Sequence, residues 1–255
     1  MVVPVTVAVS LKAYFGHREA RDWLAQVADT AAVHPAVASN AVELIVVPSY
    51  LAALPALEAL AGTRARVGVQ DVSAEEAGPF TGEVTAAELA EVGIAVAEIG
   101  HAERRRLYGE DDALVARKCA AALRHGLVPL VCVGESAHGS AEDAASEAVR
   151  QLADSLDDAP PGRVLIAYEP VWAIGAPEPA PVEHIRTVTA TLGDALSVRP
   201  GRAGSAVIYG GSAGPGLLAQ LGGDADGLFL GRFAHDPAAL NAVLDEAAEL
   251  AEARS

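Results

Sequence analysis

Eight short apolar runs, spaced at intervals of roughly thirty residues, constrain this chain more than any other feature of its sequence. They are VTVAVS (5–10), ELIVVP (43–48), ARVGVQ (65–70), AVAEIG (95–100), LVPLVCVG (127–134), VLIAYE (164–169), AVIYGG (206–211) and GLFLG (227–231). Most are unbroken in valine, isoleucine and leucine, the pattern of parallel strands covered on both faces. Alanine- and leucine-rich segments at helical spacing separate them, such as REARDWLAQVADTA and AEDAASEAVRQLADSL. TAAE at 85–88 reads as a capping box at a helix start. No linker, charge block or low-complexity tract interrupts the alternation, and 255 residues with 51% hydrophobic content suffice for one large core. The expectation is an α/β fold, a closed (β/α)8 barrel forming one domain over residues 1–255.

With 34 acidic residues against 18 basic, the formal charge of −16 argues against nucleic acid or an anionic membrane as partner. Any positive potential for an anionic substrate must therefore be local. Cys119 and Cys132 form no CxxC pair and lack a cluster of other ligands, so neither a disulfide framework nor a zinc site is expected. The N-terminus lacks a basic segment followed by a long apolar core, and no stretch approaches the length of a membrane span. A cytoplasmic protein without metal or organic cofactor is the expectation.

A barrel gathers its chemistry at the carboxyl ends of its strands. There the sequence offers Ser10, Leu11 and Lys12 after the first run, GHAERR after the fourth, Glu169 at the end of the sixth, and YGGS and LGR after the last two. The stretch AYEPVWAIGAPEPAP (167–181) mounts Glu169 before a proline- and glycine-rich segment that suits neither strand nor helix. A cation, a histidine, a carboxylate and two glycine turns suit acid/base work on a phosphorylated substrate. Glycine turns leave backbone N–H groups free to cradle a phosphate. Taken singly, Lys12 also reads as a solvated strand end, His101 as a structural histidine, Glu103 as part of a salt-bridge cluster with Arg104 and Arg105, and Cys132 as a packing residue. The other six histidines read as surface or helix residues. Joint placement at strand ends favours the site.

GHAERRRLYGE (100–110), VCVGE (131–135), AYEPVWAIG (167–175) and VIYGGS (207–212), with FTGE at 80–83, resemble the motifs of the triosephosphate isomerase family, in the family's order and across nearly the whole chain. The resemblance implies Glu169 as general base, His101 as neutral electrophile at a carbonyl oxygen and Lys12 as fixed positive charge. It makes Glu103 an acid interacting with that lysine. Backbone amides at Gly175, Ser212, Gly231 and Arg232 would hold the phosphate, with Gly210 and Gly211 forming the turn. The proline-rich stretch would be a lid that excludes water. Residues 70–83 resemble the segment by which the family's subunits reach into one another, implying a homodimer with Thr81 near the neighbour's site and Tyr14 and Phe15 at the interface.

The chain also departs from the family's pattern. Ser10 stands where asparagine is usual, Ala102 where serine follows the histidine, and Ala176, Pro177, Glu178 and Pro179 replace threonine-glycine-lysine-threonine in the lid. Arg232 replaces the second glycine of the last turn. The acid/base groups are retained while the substrate-shaping groups differ. The first reading is interconversion of dihydroxyacetone phosphate and glyceraldehyde 3-phosphate, as in glycolysis and gluconeogenesis. The alternative is isomerisation of a larger phosphorylated ketose such as L-erythrulose 1-phosphate. A third is an idle barrel with a binding or regulatory role.

Overall fold

The computed structural model describes residues 3–254. Eight parallel strands close into a barrel in sequence order: β1 (Val5–Ser10), β2 (Val42–Val47), β3 (Arg66–Val69), β4 (Val96–Ile99), β5 (Val128–Val133), β6 (Leu165–Tyr168), β7 (Ala206–Tyr209) and β8 (Gly227–Leu230). β1 closes the ring by pairing with both β2 and β8, with Ala8 opposite Ile45 and Phe229. Each strand lies within, or one residue outside, the run read as a strand. The polar or glycine residues that end several runs, Gln70, Gly100, Gly134, Glu169, Gly210 and Gly231, fall just past the last ladder residue, where the chain turns out of the sheet.

Alternation along the strands sorts residues into two cores. Ala8, Ile45, Val96, Leu130, Ala167, Ile208 and Phe229 fill the barrel's interior. Val7, Leu44, Ala97, Val131 and Ile166 face the helical ring, where they meet Trp23, Leu24, Leu152, Ile185 and Leu244. Burying both faces explains why the runs lack polar alternation. Helices His17–Val33, Ala141–Ser155, Val182–Ser197 and Pro237–Ala253 are the long members of the ring. The expected cap at Thr85 is present as one arm: its side chain accepts from the backbone N–H of Glu88 at 3.3 Å at the start of Ala86–Glu91. Among the described residues no helix is long and apolar enough to cross a membrane.

The interior turns polar towards both ends. At the amino end Glu43 accepts from Arg66 at 2.9 Å and is clamped by Arg163, with Thr6 alongside. Two guanidiniums around one buried carboxylate hold its acid below the ordinary range against the cost of burial. The opposite, carboxyl end carries Ser10, Glu98, Cys132 and Glu169, all buried and none matched to an arginine.

Candidate active site

Every residue expected at the site except His101 lines one cavity of about 650 Å³ at the carboxyl ends of the strands: Ser10, Lys12, Glu103, Glu169, Gly175, Gly210, Gly211, Ser212, Gly231 and Arg232. His101 lies directly beneath, against Lys12 and Glu169. Closure of the barrel brings together groups up to 222 residues apart in sequence, Ser10 and Arg232.

Past Ser10 the chain turns sharply, and Lys12 adopts φ 47°. A lysine in the left-handed region is unusual, and such strain persists where the surroundings hold it. Gln70, just beyond β3, provides the hold: its Nε2 donates to the Lys12 carbonyl at 3.0 Å and to the Val47 carbonyl at 3.2 Å. The turn brings the Lys12 ammonium to 2.9 Å from Glu103 Oε1 and 3.2 Å from His101 Nε2. Burial works against its charge, but Glu169, Glu103 and Glu98 outweigh that and raise it above the ordinary lysine range.

His101 caps helix Ala102–Tyr108, and its Nδ1 accepts the backbone N–H of Glu103 at 3.1 Å. With Nδ1 an acceptor, the neutral ring carries its proton on Nε2. Nε2–H and the Lys12 ammonium are then two donors converging on one place, where a substrate oxygen can accept from both. Across from them, Glu169 Oε2 stands 3.5 Å from Nε2, buried and without a hydrogen-bond partner among the described residues. An unpaired buried carboxylate oxygen is costly, and its retention here points to a ligand as the missing partner. Arg104 and Arg105, candidates for structural pairs, both hold this helix: Arg104 bonds Asp71 at 2.7 Å and Glu110 at 2.6 Å, and Arg105 bonds Asp112 at 2.7 Å.

The YGGS turn makes room for Glu169. A Cβ on Gly210 would stand 2.8 Å from Glu169 Cγ, and one on Gly211 would stand 2.1 Å from the Tyr209 hydroxyl. Among the described residues, the backbone N–H groups of Gly175, Gly211 and Ser212 donate to no group of the chain, which leaves them for an anion.

Over the cavity the segment from Ile174 to Ala180 is pinned at several points. Ser212 Oγ donates to the Ala176 carbonyl at 2.7 Å, and the backbone N–H of Ala180 donates to the Tyr209 hydroxyl at 3.1 Å. The Arg232 guanidinium, expected as a cation at the rim, donates to the Gly175 carbonyl at 3.2 Å and so latches the segment. At its near end Trp172 Nε1 donates to Glu135 at 2.7 Å, where His184 and the Tyr168 hydroxyl also meet the carboxylate. His184 sits on a helix as read, yet it is buried against Glu135, Tyr168 and Trp172, and buried His34 packs beside Asp245.

Glu98 is the group that sequence reading missed. It lies in β4, its carboxylate accepts from Ser10 Oγ at 2.9 Å, and it is 3% exposed. Burial, with Glu169 adding to it and His101 opposing, pushes its acid up to about 7. Within AVAEIG it passes as one polar residue in a strand. The available signal was its parity with Val96, which assigns it to the same strand face. Cys132 is buried beside Glu169 and Glu98, and burial raises its thiol well above the ordinary range, in keeping with a packing residue.

A closed eight-stranded barrel with a carboxylate, an imidazole and an ammonium around one cavity, and free amides at its rim, defines a barrel enzyme built for proton transfer on a small anion. The triosephosphate isomerase family model matches residues 5–247. An L-erythrulose-1-phosphate isomerase of Pectobacterium atrosepticum is 47% identical over 247 residues, 95% of each chain. A triosephosphate isomerase of Thermus thermophilus is 40% identical over 224 residues, 85% of this chain and 87% of that one. The crystal structure of triosephosphate isomerase from Bartonella henselae superposes with a TM-score of 0.78 at 27% identity, covering 96% of this chain and 99% of that one. The chain belongs to the triosephosphate isomerase family and is a sugar-phosphate isomerase.

Proposed function

We propose that this isomerase acts on a four-carbon ketose phosphate, L-erythrulose 1-phosphate, moving its carbonyl reversibly to the adjacent hydroxyl-bearing carbon to give the isomeric ketose phosphate. Glu169 removes the proton from the carbon beside the carbonyl and returns it to the neighbouring carbon. His101 Nε2–H and the Lys12 ammonium stabilise the enediolate oxygen between them. Glu103 holds Lys12 in place. The amides of Gly175, Ser212, Gly231 and Arg232, with the Gly210–Gly211 turn, bind the phosphate, and Ser10 contributes to the floor. The pinned segment keeps water from the intermediate.

One observation carries the chemistry: the unpaired Glu169 Oε2 opposite two converging donors. Choice of the longer ketose over the first reading, dihydroxyacetone phosphate, is supported by the 47% identity along 95% of the L-erythrulose-1-phosphate isomerase. An idle barrel accounts for neither the orphaned oxygen nor the strained Lys12. Assaying the purified protein on L-erythrulose 1-phosphate and dihydroxyacetone phosphate side by side tests the choice. Faster turnover of the triose overturns it.

The protein is further proposed to be a cytoplasmic homodimer joined through residues 70–83. The base of this segment is tied down, with Glu76 paired to Arg124 and His125, while Phe80 and Thr81 at its tip are exposed. Exposed Leu51 and Leu54 supply apolar surface of the kind an obligate partner covers.

A further inference from the structure

A carboxylate without an arginine is an odd occupant of a barrel's interior. At the amino end, buried Glu43 is neutralised by Arg66 and Arg163. Glu98, near the other end, has a hydroxyl as its hydrogen-bond donor, Ser10 Oγ at 2.9 Å. The layer between them is filled by Ile45, Leu130, Ile208 and Phe229, so barrel packing itself does not call for an acid there. Ser10 is 2% exposed and lines the cavity floor two residues before Lys12. A serine has one proton. Donating it to Glu98 leaves only lone pairs of Oγ for a ligand.

We infer that Glu98 is a specificity-determining positioning residue: it fixes Ser10 as a hydrogen-bond acceptor for a hydroxyl that a four-carbon ketose phosphate carries and a triose phosphate lacks. The extra hydroxymethyl group of the tetrulose has a proton to give, and the Ser10–Glu98 pair is built to take it. A hydroxyl left free to rotate would serve as donor or acceptor and discriminate less. The inference rests on the substrate proposed above. Several charged or titratable groups surround Glu98: Lys12 past β1, His101 past β4, Cys132 on β5 and Glu169 past β6. Lys12, His101 and Glu169 serve both substrates alike, so their titration cancels when the two substrates are compared as a ratio.

The test measures kcat/KM for L-erythrulose 1-phosphate and dihydroxyacetone phosphate at pH 8 in wild type, Ser10→Ala, Glu98→Leu, Glu98→Gln and the double variant Ser10→Ala/Glu98→Leu. Glu98→Leu is expected to lower the tetrulose-to-triose ratio roughly tenfold, the worth of one oriented hydrogen bond. Ser10→Ala should do the same, and the double variant should add little to either, because the two side chains act as one unit. Glu98→Gln, whose amide oxygen still accepts the Ser10 proton, should keep most of the preference. In wild type the ratio should fall as the pH is lowered through 7 and Glu98 takes up a proton, while in Glu98→Gln it stays level. A merely structural acid would move neither profile. Circular dichroism checks folding, and if Glu98→Leu does not fold, Ser10→Ala and the wild-type pH profile decide. Ratios in Glu98→Leu and Ser10→Ala within about twofold of wild type overturn the inference. A wild type that prefers the triose overturns the proposed substrate instead, and the two failures are told apart because one is read in the wild type and the other in the variants.

Discussion

The backbone N–H of Glu103 donates to Nδ1 of His101 across 3.1 Å, and this contact sets the site's polarity. It commits the neutral ring's proton to Nε2, the nitrogen that faces Lys12 and Glu169. Glu103 also accepts from Lys12 through its own carboxylate at 2.9 Å. One residue thereby contacts both Lys12 and His101, and its acid is held below the ordinary range because Lys12 and His101 outweigh the effect of its partial burial.

Glu169→Asp withdraws the base by one methylene while the Gly210 cleft that admits it stays open. Turnover is expected to fall about a hundredfold through misplacement of the carboxylate. Lys12→Ala should cost more, roughly a thousandfold in kcat/KM, since it removes charge from both the phosphate and the developing oxyanion. Steady-state kinetics on variants that fold by circular dichroism check both. Near-normal activity in the two folded variants contradicts the assigned site.

Glu98 ties stability to pH. Its acid is about 7 in the fold and 4.5 as its ordinary value, so between those limits the folded state binds more protons than the unfolded. The group's contribution is therefore most favourable below pH 4.5 and is lost as pH rises through 7, by about 3 kcal/mol in all. Glu98→Gln lacks this loss. In urea titrations its stability relative to wild type should climb by a similar amount between pH 5 and pH 8. A difference independent of pH contradicts the buried, protonatable carboxylate.

Much of this was legible in the sequence, and the part that was not has a physical cause. Unbroken apolar runs announce strands buried on both faces, and Glu169 betrays itself by standing between such a run and a proline. Glu98 stays hidden because barrel closure, not local pattern, decides which strand face is the interior. Gln70 reads as a strand end, yet from the end of β3, two strands away, its amide holds the strained Lys12 turn. The Arg232 side chain reads as a rim cation, and only the fold brings the Gly175 carbonyl within its reach.

Arg232 donates to the Gly175 carbonyl, and the Pro177 ring fixes its own φ, in the segment that lies over the cavity. Replacing both with glycine frees the Gly175 carbonyl and restores backbone freedom at position 177. The double variant is expected to raise the triose rate relative to the tetrulose rate, as read from kcat/KM on both substrates. An unchanged ratio contradicts a role for the latch in substrate choice.

Phe80 tests the assembly. A carboxylate at the tip of residues 70–83 would have to be desolvated in the proposed interface, so Phe80→Asp should shift the protein from dimer to monomer and depress activity with it. Light scattering at micromolar concentration reads the change. A wild type already monomeric under those conditions contradicts the proposed dimer.

Whether this family site is reshaped for a longer ketose is read from wild-type kcat/KM on L-erythrulose 1-phosphate against dihydroxyacetone phosphate and glyceraldehyde 3-phosphate. The predicted result is a preference for the tetrulose of about tenfold or more. Turnover of glyceraldehyde 3-phosphate near the diffusion limit, on the order of 10⁸ M⁻¹s⁻¹, with the tetrulose slower, would contradict it.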